Sequence, residues 1–287
     1  MPLHARPATE ADISDLAVLQ EEEDTYWFGA CEHDESEVRE AVSRADPLTE
    51  RSRVLHDNER LMAAAWWWKS DEASLLVNED ADPGAVYDDL LPWLSLSGVT
   101  QVEALSRDKH RRAALSRHGW EHVVSQFELL RDASELPPPR WPKGVTTSAL
   151  DDHTEAAYRV IYDEAGWAEI PGHGRRDFDE WRGLFVSGED PKQQVLAWQS
   201  GRLVGVALGK TFSDGTGWVS QLAVPRDRQG NGLGSALLAL AFRRRLEAGA
   251  SQLGLGVSAA NGDALRLYER LGFEVDREWM VHRSLGG

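Results

Sequence analysis

The stretch Gln229-Gly230-Asn231-Gly232-Leu233-Gly234 constrains the fold of this chain more than any other. It follows an apolar run, Trp218 to Val224, that reads as a strand, and precedes Ser235 to Ala248, which reads as a helix. A glycine-rich turn at that junction leaves backbone N–H groups exposed at a helix N-terminus and lets an oxyanion come close. Its position is also informative, because it lies late in a chain of 287 residues. A dinucleotide fold opens with its glycine loop, and a nucleotide loop carries Gly-Lys-Ser/Thr, which is missing here. The expectation is a pyrophosphate-bearing cofactor that docks near the end of the chain.

The elements around this loop follow one order. In the second half, Val145 to Leu150 is a strand and Asp151-Asp152 opens a helix to about Ala165. A loop from Gly166 to Gly174 and a helix from Asp177 to Val186 come next. Gln194 to Gln199 and Arg202 to Thr211 flank Ser200-Gly201 as a hairpin. After the glycine loop and its helix, Gln252 to Ser258 is a strand. Asn261-Gly262-Asp263 then caps a helix to Arg270, Gly272 ends it, and Phe273 to Arg283 is a final strand or hairpin.

The first half repeats the order. His4 to Pro7 is a strand, and Thr9 to Asp12 opens a helix. Ser52 to Asp57 and Leu61 to Trp68 form a hairpin, and Glu72 to Val77 is the next strand. A helix over Val86 to Leu96, a strand over Gln101 to Leu105 and a helix over Lys109 to Arg117 follow. His118-Gly119-Trp120-Glu121 then matches Leu271-Gly272-Phe273-Glu274, which sets Asp108 opposite Asn261 and Leu115 opposite Tyr268. We read an internal duplication, with Pro137 to Pro142 as a stiff linker between residues 1–136 and 143–287. After Val77 the first copy carries Glu79, Asp80 and Asp82 in place of glycines, and these carboxylates would repel a pyrophosphate.

Composition narrows the partners. A formal net charge of −17 disfavours a nucleic-acid backbone and suits an amine-bearing small molecule. The basic residues near the loop, Arg226, Arg228 and Arg243-Arg244-Arg245, read first as solvated surface and only second as ligand contacts. Cys31 is the only cysteine, so no intrachain disulfide forms, and a reducing cytoplasm is expected. Cys31 and His33 read as a free thiol and its neighbour rather than a metal or nucleophile site, and no metal is expected. No apolar run approaches the roughly 20 residues of a membrane span, and no signal pattern opens the chain. The sequence carries no sign of oligomeric state.

On Leu222-Ala223-Val224-Pro225, the glycine loop, and Asn261 to Phe273, the C-terminal half resembles the GCN5-related N-acetyltransferases (GNAT). The likeness is firm over Gln194 to Phe273. A tandem with a degenerate first copy is similar to the arrangement of the mycothiol synthases, without that substrate being implied. The resemblance implies an α/β fold of two GNAT-type acyl-CoA N-acyltransferase domains, each a mixed twisted sheet flanked by helices. It implies acetyl-CoA as acyl donor, with Leu222, Ala223 and Val224 bonding the pantetheine through their backbone. The amides of Gln229, Gly230, Asn231, Gly232, Leu233, Gly234 and Ser235 would cradle the pyrophosphate. Gly230, Gly232 and Gly234 are expected to keep Cβ atoms off the phosphates. Asn261 would contact the pantetheine arm or simply cap its helix. Tyr268 would meet the cofactor sulfur as the acid of the reaction, against the simpler role of a packed core tyrosine.

The implied reaction is direct attack of a small-molecule or peptide amine on the thioester in a ternary complex, with an N–H near Leu222 or Ala223 meeting the oxyanion. The family's strand glutamate is replaced here by Trp218-Val219-Ser220-Gln221. A water on Ser220 or Gln221, or Glu169 or His173, is left to act as base. The acceptor pocket is expected from Trp167 to His173 and around Trp181, with Trp198 and Trp218 as further lining. The missing glutamate also motivates a rival, a non-catalytic acyl-CoA sensor or scaffold.

Overall fold

The computed structural model describes residues 3–68, 72–134, 136–171 and 173–284. In chain order the first elements are β1 (His4–Arg6), α1 (Ile13–Phe28), α2 (Glu35–Ser43), α3 (Leu48–Arg51), β2 (Ser52–Asp57), β3 (Arg60–Trp67) and β4 (Glu72–Val77). Then come α4 (Pro83–Leu96), β5 (Gln101–Leu105), α5 (Lys109–Arg117) and β6 (Trp120–Asp132). The second half supplies β7 (Val145–Ser148), α6 (Thr154–Arg159), α7 (Phe178–Phe185), β8 (Val195–Gln199), β9 (Arg202–Thr211) and β10 (Thr216–Ala223). It ends with α8 (Leu233–Glu247), β11 (Gln252–Ser258), α9 (Gly262–Arg270) and β12 (Glu274–Ser284).

Two compact units emerge. The first holds residues 1–123 and 279–287, and the second residues 124–278. In the first, β1 to β4 pair antiparallel in sequence order, β4 meets β5 in parallel, and Trp279 to Arg283 of β12 pair with β5. In the second, β7 to β10 pair antiparallel, β10 meets β11 in parallel, and Gln126 to Asp132 of β6 pair with β11. The strands of the two units therefore follow the same order, and each set is completed by the last strand of the other half of the sequence. The Pro-rich run 137–142 lies inside the second unit, and the chain crosses between units at Val123/Val124 and Glu278/Trp279. The physical reason is β6, which the sequence reading ended short of and which bonds along the whole of β11.

In each unit the strands are covered on two faces, which explains their near-continuous apolar character. In the second unit Val195, Val219, Leu253 and Leu255 pack with Leu237, Phe242 and Tyr268, on the face of α8 and α9. Leu196, Val206 and Leu208 pack with Ala157, Ile161 and Trp181, on the face of α6 and α7. The expected helix from Asp151 to Ala165 is composite. A 3-10 turn at Asp151–His153 leads into α6 and then into a π-helical turn at Val160–Glu164, a wide turn that breaks the regular helix beside the following loop.

Candidate active site

The parallel strands β10 and β11 separate partway along their length. Their register runs from Thr216↔Gln252 to Val219↔Leu255 and stops, while β10 continues to Ala223 and β11 to Ser258. On its other edge β10 stays bonded to β9, with a bulge between Val219 and Gln221 that leaves Ser220 as the extra residue. Leu222 and Ala223 pair with Ala207 and Val206 of β9. Their opposite edge therefore faces the opening, with no strand partner.

The glycine loop caps this opening. Gly230 and Gly232 have φ of 78° and 81°, a left-handed geometry that a side chain strains. A Cβ at either position would meet no protein atom within 4 Å, so the protein itself leaves room above them. Gly234 lies in the first turn of α8, where a Cβ would sit in ordinary contact with Val224. Among the described residues, the N–H groups of residues 230–235 donate to no protein acceptor, as expected where a helix begins without a side-chain cap. Gln229 turns its side chain back instead, donating Nε2 to the Val224 carbonyl at 2.9 Å. The result is a row of free amides at a helix N-terminus, directly beyond the open end of β10.

The other wall comes from β11 and α9. Asn261 is the N-cap of α9, its Oδ1 accepting from Ala264 N at 3.2 Å, so the capping role is real and Nδ2 remains available. Tyr268 is 7% exposed and packs in the cluster of Leu253, Leu255 and Phe273. Burial pushes its phenol up to about 12, which keeps it protonated at neutral pH. Its hydroxyl makes no hydrogen bond to the described residues, leaving it available to an incoming acceptor.

The segment after the π-helical turn is tied to both strands. The Arg226 guanidinium pairs with Glu169 and packs against Gly166, on the β10 side. On the β11 side, Ser258 Oγ donates to the Pro171 carbonyl at 3.0 Å. The His173 ring stacks edge-on against Trp167 at 4.8 Å, and its pKa is pushed down to about 4 by burial and by Arg176. Gln221 is buried, and its Oε1 accepts from Trp181 Nε1 at 2.7 Å while Nε2 has no partner. Of the groups expected to supply the base, Glu169 lies in an ion pair, Gln221 holds Trp181, and His173 sits in a setting that makes it a poor proton acceptor, while Ser220 stands at the bulge. Trp198 packs against the same cluster as Trp167 and Trp181 and donates Nε1 to Ser148 Oγ.

The arginine run differs from the expected solvated face. Arg244 donates to the carbonyls of Lys192 and Gln194, and Arg245 is fully buried, donating to Trp218 O at 3.0 Å and Ala241 O at 2.9 Å. Both are structural cross-links beneath the sheet. The glycines Gly209 and Gly217 make space for Arg245. Among the described residues no group of three or more His, Cys, Asp or Glu side chains is placed to hold a metal, and no helix is long and apolar enough to cross a membrane. Cys31 is exposed and donates to His33 O at 3.2 Å.

Residues 150–273 match the model of the Acetyltransferase (GNAT) family. The chain is 31% identical over 154 residues to the Mycothiol acetyltransferase of Streptomyces coelicolor, covering 52% of this chain and 49% of that protein. It is 30% identical over 221 residues to the Mycothiol acetyltransferase of Mycolicibacterium vanbaalenii, covering 71% of each. Thus it spans about half the length of some curated relatives and more of others. In structure it is similar to a GCN5-related N-acetyltransferase from Sphaerobacter thermophilus, with a TM-score of 0.83, 22% identity and coverage of 99% and 95% of the two chains. That likeness concerns the fold.

Proposed function

The chain belongs to the GNAT acetyltransferase family, and on that premise we propose that its second unit transfers the acetyl group of acetyl-CoA to a primary amine of a small molecule or peptide. The observation that carries the proposal is the row of free amides at residues 230–235 beside an opened strand pair. Pantetheine, an amide-rich chain, needs strand-like partners, and the edge of Leu222 and Ala223 that has no strand partner, continued by Val224, supplies them. The pyrophosphate needs N–H donors in a field that favours anions, and the start of α8 supplies both. Asn261 Nδ2 would serve the same arm from the α9 side. The Mycothiol acetyltransferase relatives favour a small-molecule amine as acceptor.

The chemistry follows from what each group can do. The amine lone pair forms the new C–N bond, and the C–S bond breaks with its electron pair on sulfur. A backbone N–H at Leu222 or Ala223 meets the charge that develops on the carbonyl oxygen. Tyr268 faces a limit set by its own environment. Burial holds its phenol at about 12, so the proton stays on oxygen as the sulfur departs. Tyr268 therefore acts by donating a hydrogen bond to the departing sulfur, and solvent completes the protonation.

Thermal unfolding tests the site. Acetyl-CoA at saturating concentration should raise the melting temperature, as a ligand of the native state does. Gly232→Asp puts a strained residue and a negative charge among the amides and should remove the shift. A full shift in the variant would place the cofactor elsewhere. Binding without transfer to any amine would leave a sensor.

A further inference from the structure

The proton that the amine must lose meets no carboxylate on β10, and the register of the second unit offers one two strands away. Beyond the last β10–β11 pair, Val219↔Leu255, the next residues are Ser220, at the bulge, and Gly256. Gly256 is the register partner of Glu128 on β6. Residues directly opposite in an antiparallel pair share a face, so the Glu128 side chain emerges beside the position where Gly256 has none. The same face carries Leu130, opposite Gly254, and the Trp218 ring, which lies over Gly254 and reaches to within 3.8 Å of where a Gly256 Cβ would be. Ser220, Gly256 and Glu128 thus form one row across the sheet at the level where the strands part.

We propose that Glu128 is the carboxylate that orients the acceptor amine and takes its proton, acting across Gly256 with Trp218 as the floor of the acceptor site. The inference rests on the acetyltransferase reading of the second unit. Three observations support it. Glu128 keeps 30% of its side-chain surface open, so a ligand can reach it. Arg277 of β12 faces it at 3.6 Å and is itself paired with Asp276 at 2.8 Å, so a cation stands beside the carboxylate. Gly256 is exposed, and any side chain there would stand between Glu128 and the opening. In the balanced step, a Glu128 oxygen accepts one proton from the bound ammonium, which frees the lone pair that forms the C–N bond; the C–S electron pair leaves on sulfur, and sulfur takes up the second nitrogen proton through solvent. Glu128 then returns the proton to water.

Glu128→Gln tests this in the full chain. Acetyl transfer is measured from pH 6 to 10 with benzylamine, glucosamine and lysine as probes, and with hydroxylamine, which is largely unprotonated near neutrality. For the alkylamine that reacts best, kcat should fall on the order of 100-fold or more, and the acid limb of the pH profile should shift upward. Transfer to hydroxylamine should fall much less. The acetyl-CoA thermal shift should match wild type, which shows that the variant is folded and its cofactor site intact. Glu128→Asp, should the Gln variant fold poorly, keeps the acid limb and lowers kcat. Unchanged alkylamine turnover with an unchanged pH profile would overturn the role of Glu128 and leave the acetyltransferase reading standing. Cofactor binding with no transfer by the wild type to any of the amines would overturn that reading, and this inference with it.

Discussion

After β4 the chain turns through Asn78 to Asp82 into α4, and after β10 it turns through Pro225 to Gly232 into α8. The two turns occupy the same place in the same sheet order, yet they treat their backbone amides in opposite ways. In the first unit the turn satisfies itself. Asn78 Oδ1 accepts from Asp80 N, Asn78 O accepts from Ala81 N, and Asp82 Oδ1 accepts from Gly84 N. In the second unit the amides of residues 230–235 stay open among glycines. The strand openings differ as well. β4 and β5 part after Ala73↔Val102, but α1 closes that mouth. Glu22 accepts from Asn78 at the end of β4, and Glu23 accepts from Arg111 on α5 at 2.6 Å, in a buried group with Asp108 and Tyr87. Among the described residues, the matching mouth in the second unit is crossed by the Arg226–Glu169 and Ser258–Pro171 ties. One fold can therefore make or cancel an anion site, according to whether its own side chains consume the amides.

The largest effect expected concerns the completeness of each unit. A fragment of residues 137–287 contains every motif of the active copy but lacks β6, so the outer edge of β11 loses its partner. It should show no cooperative unfolding and no response to acetyl-CoA, whereas a fragment of residues 124–278 should show both. Cooperative unfolding of 137–287 with full cofactor response would break the comparison at its root. Next in size is Tyr268→Phe, which removes a hydroxyl that its counterpart Leu115 lacks altogether. Its kcat should fall on the order of 100-fold, as for loss of one charge-stabilising donor, with KM for acetyl-CoA unchanged. Equal turnover would make Tyr268 as structural as Leu115.

The smallest effect is a pH dependence. His173 has its folded pKa depressed to about 4, below the ordinary value of 6.5. The stability gained by keeping the ring neutral is fully present above pH 6.5 and is lost as pH falls toward 4. By pH 5 the loss should reach about 2 kcal/mol relative to pH 7. His173→Phe should flatten the melting-temperature profile over that window. Parallel profiles for the two proteins would mean that His173 is solvated in the folded chain.

Much of this was legible in the sequence, because local signals and tertiary structure agree. The bounds of β4, β5, α5 and β11 follow directly from apolar runs with clear stops, and the hairpin at Ser200-Gly201 from its turn residues. The glycine loop was legible because φ near +80° selects glycine. The strand exchange was not, since nothing in β6 says which sheet it joins. The equivalence of Gly119-Trp120 with Gly272-Phe273 does imply a strand after Trp120, and that signal would have exposed Glu128. Arg245 was misread because a buried arginine bonded to carbonyls has no local signature. The engagement of Glu169 and Gln221 also depends on residues far away in sequence, Arg226 and Trp181.

The central claim is that one turn kept its amides for a ligand and the other consumed them. Calorimetric titration of the full chain with acetyl-CoA tests it most directly. The account predicts one site per chain in the wild type and none in Gly232→Asp. Two sites per chain, or one site that survives Gly232→Asp, would contradict it.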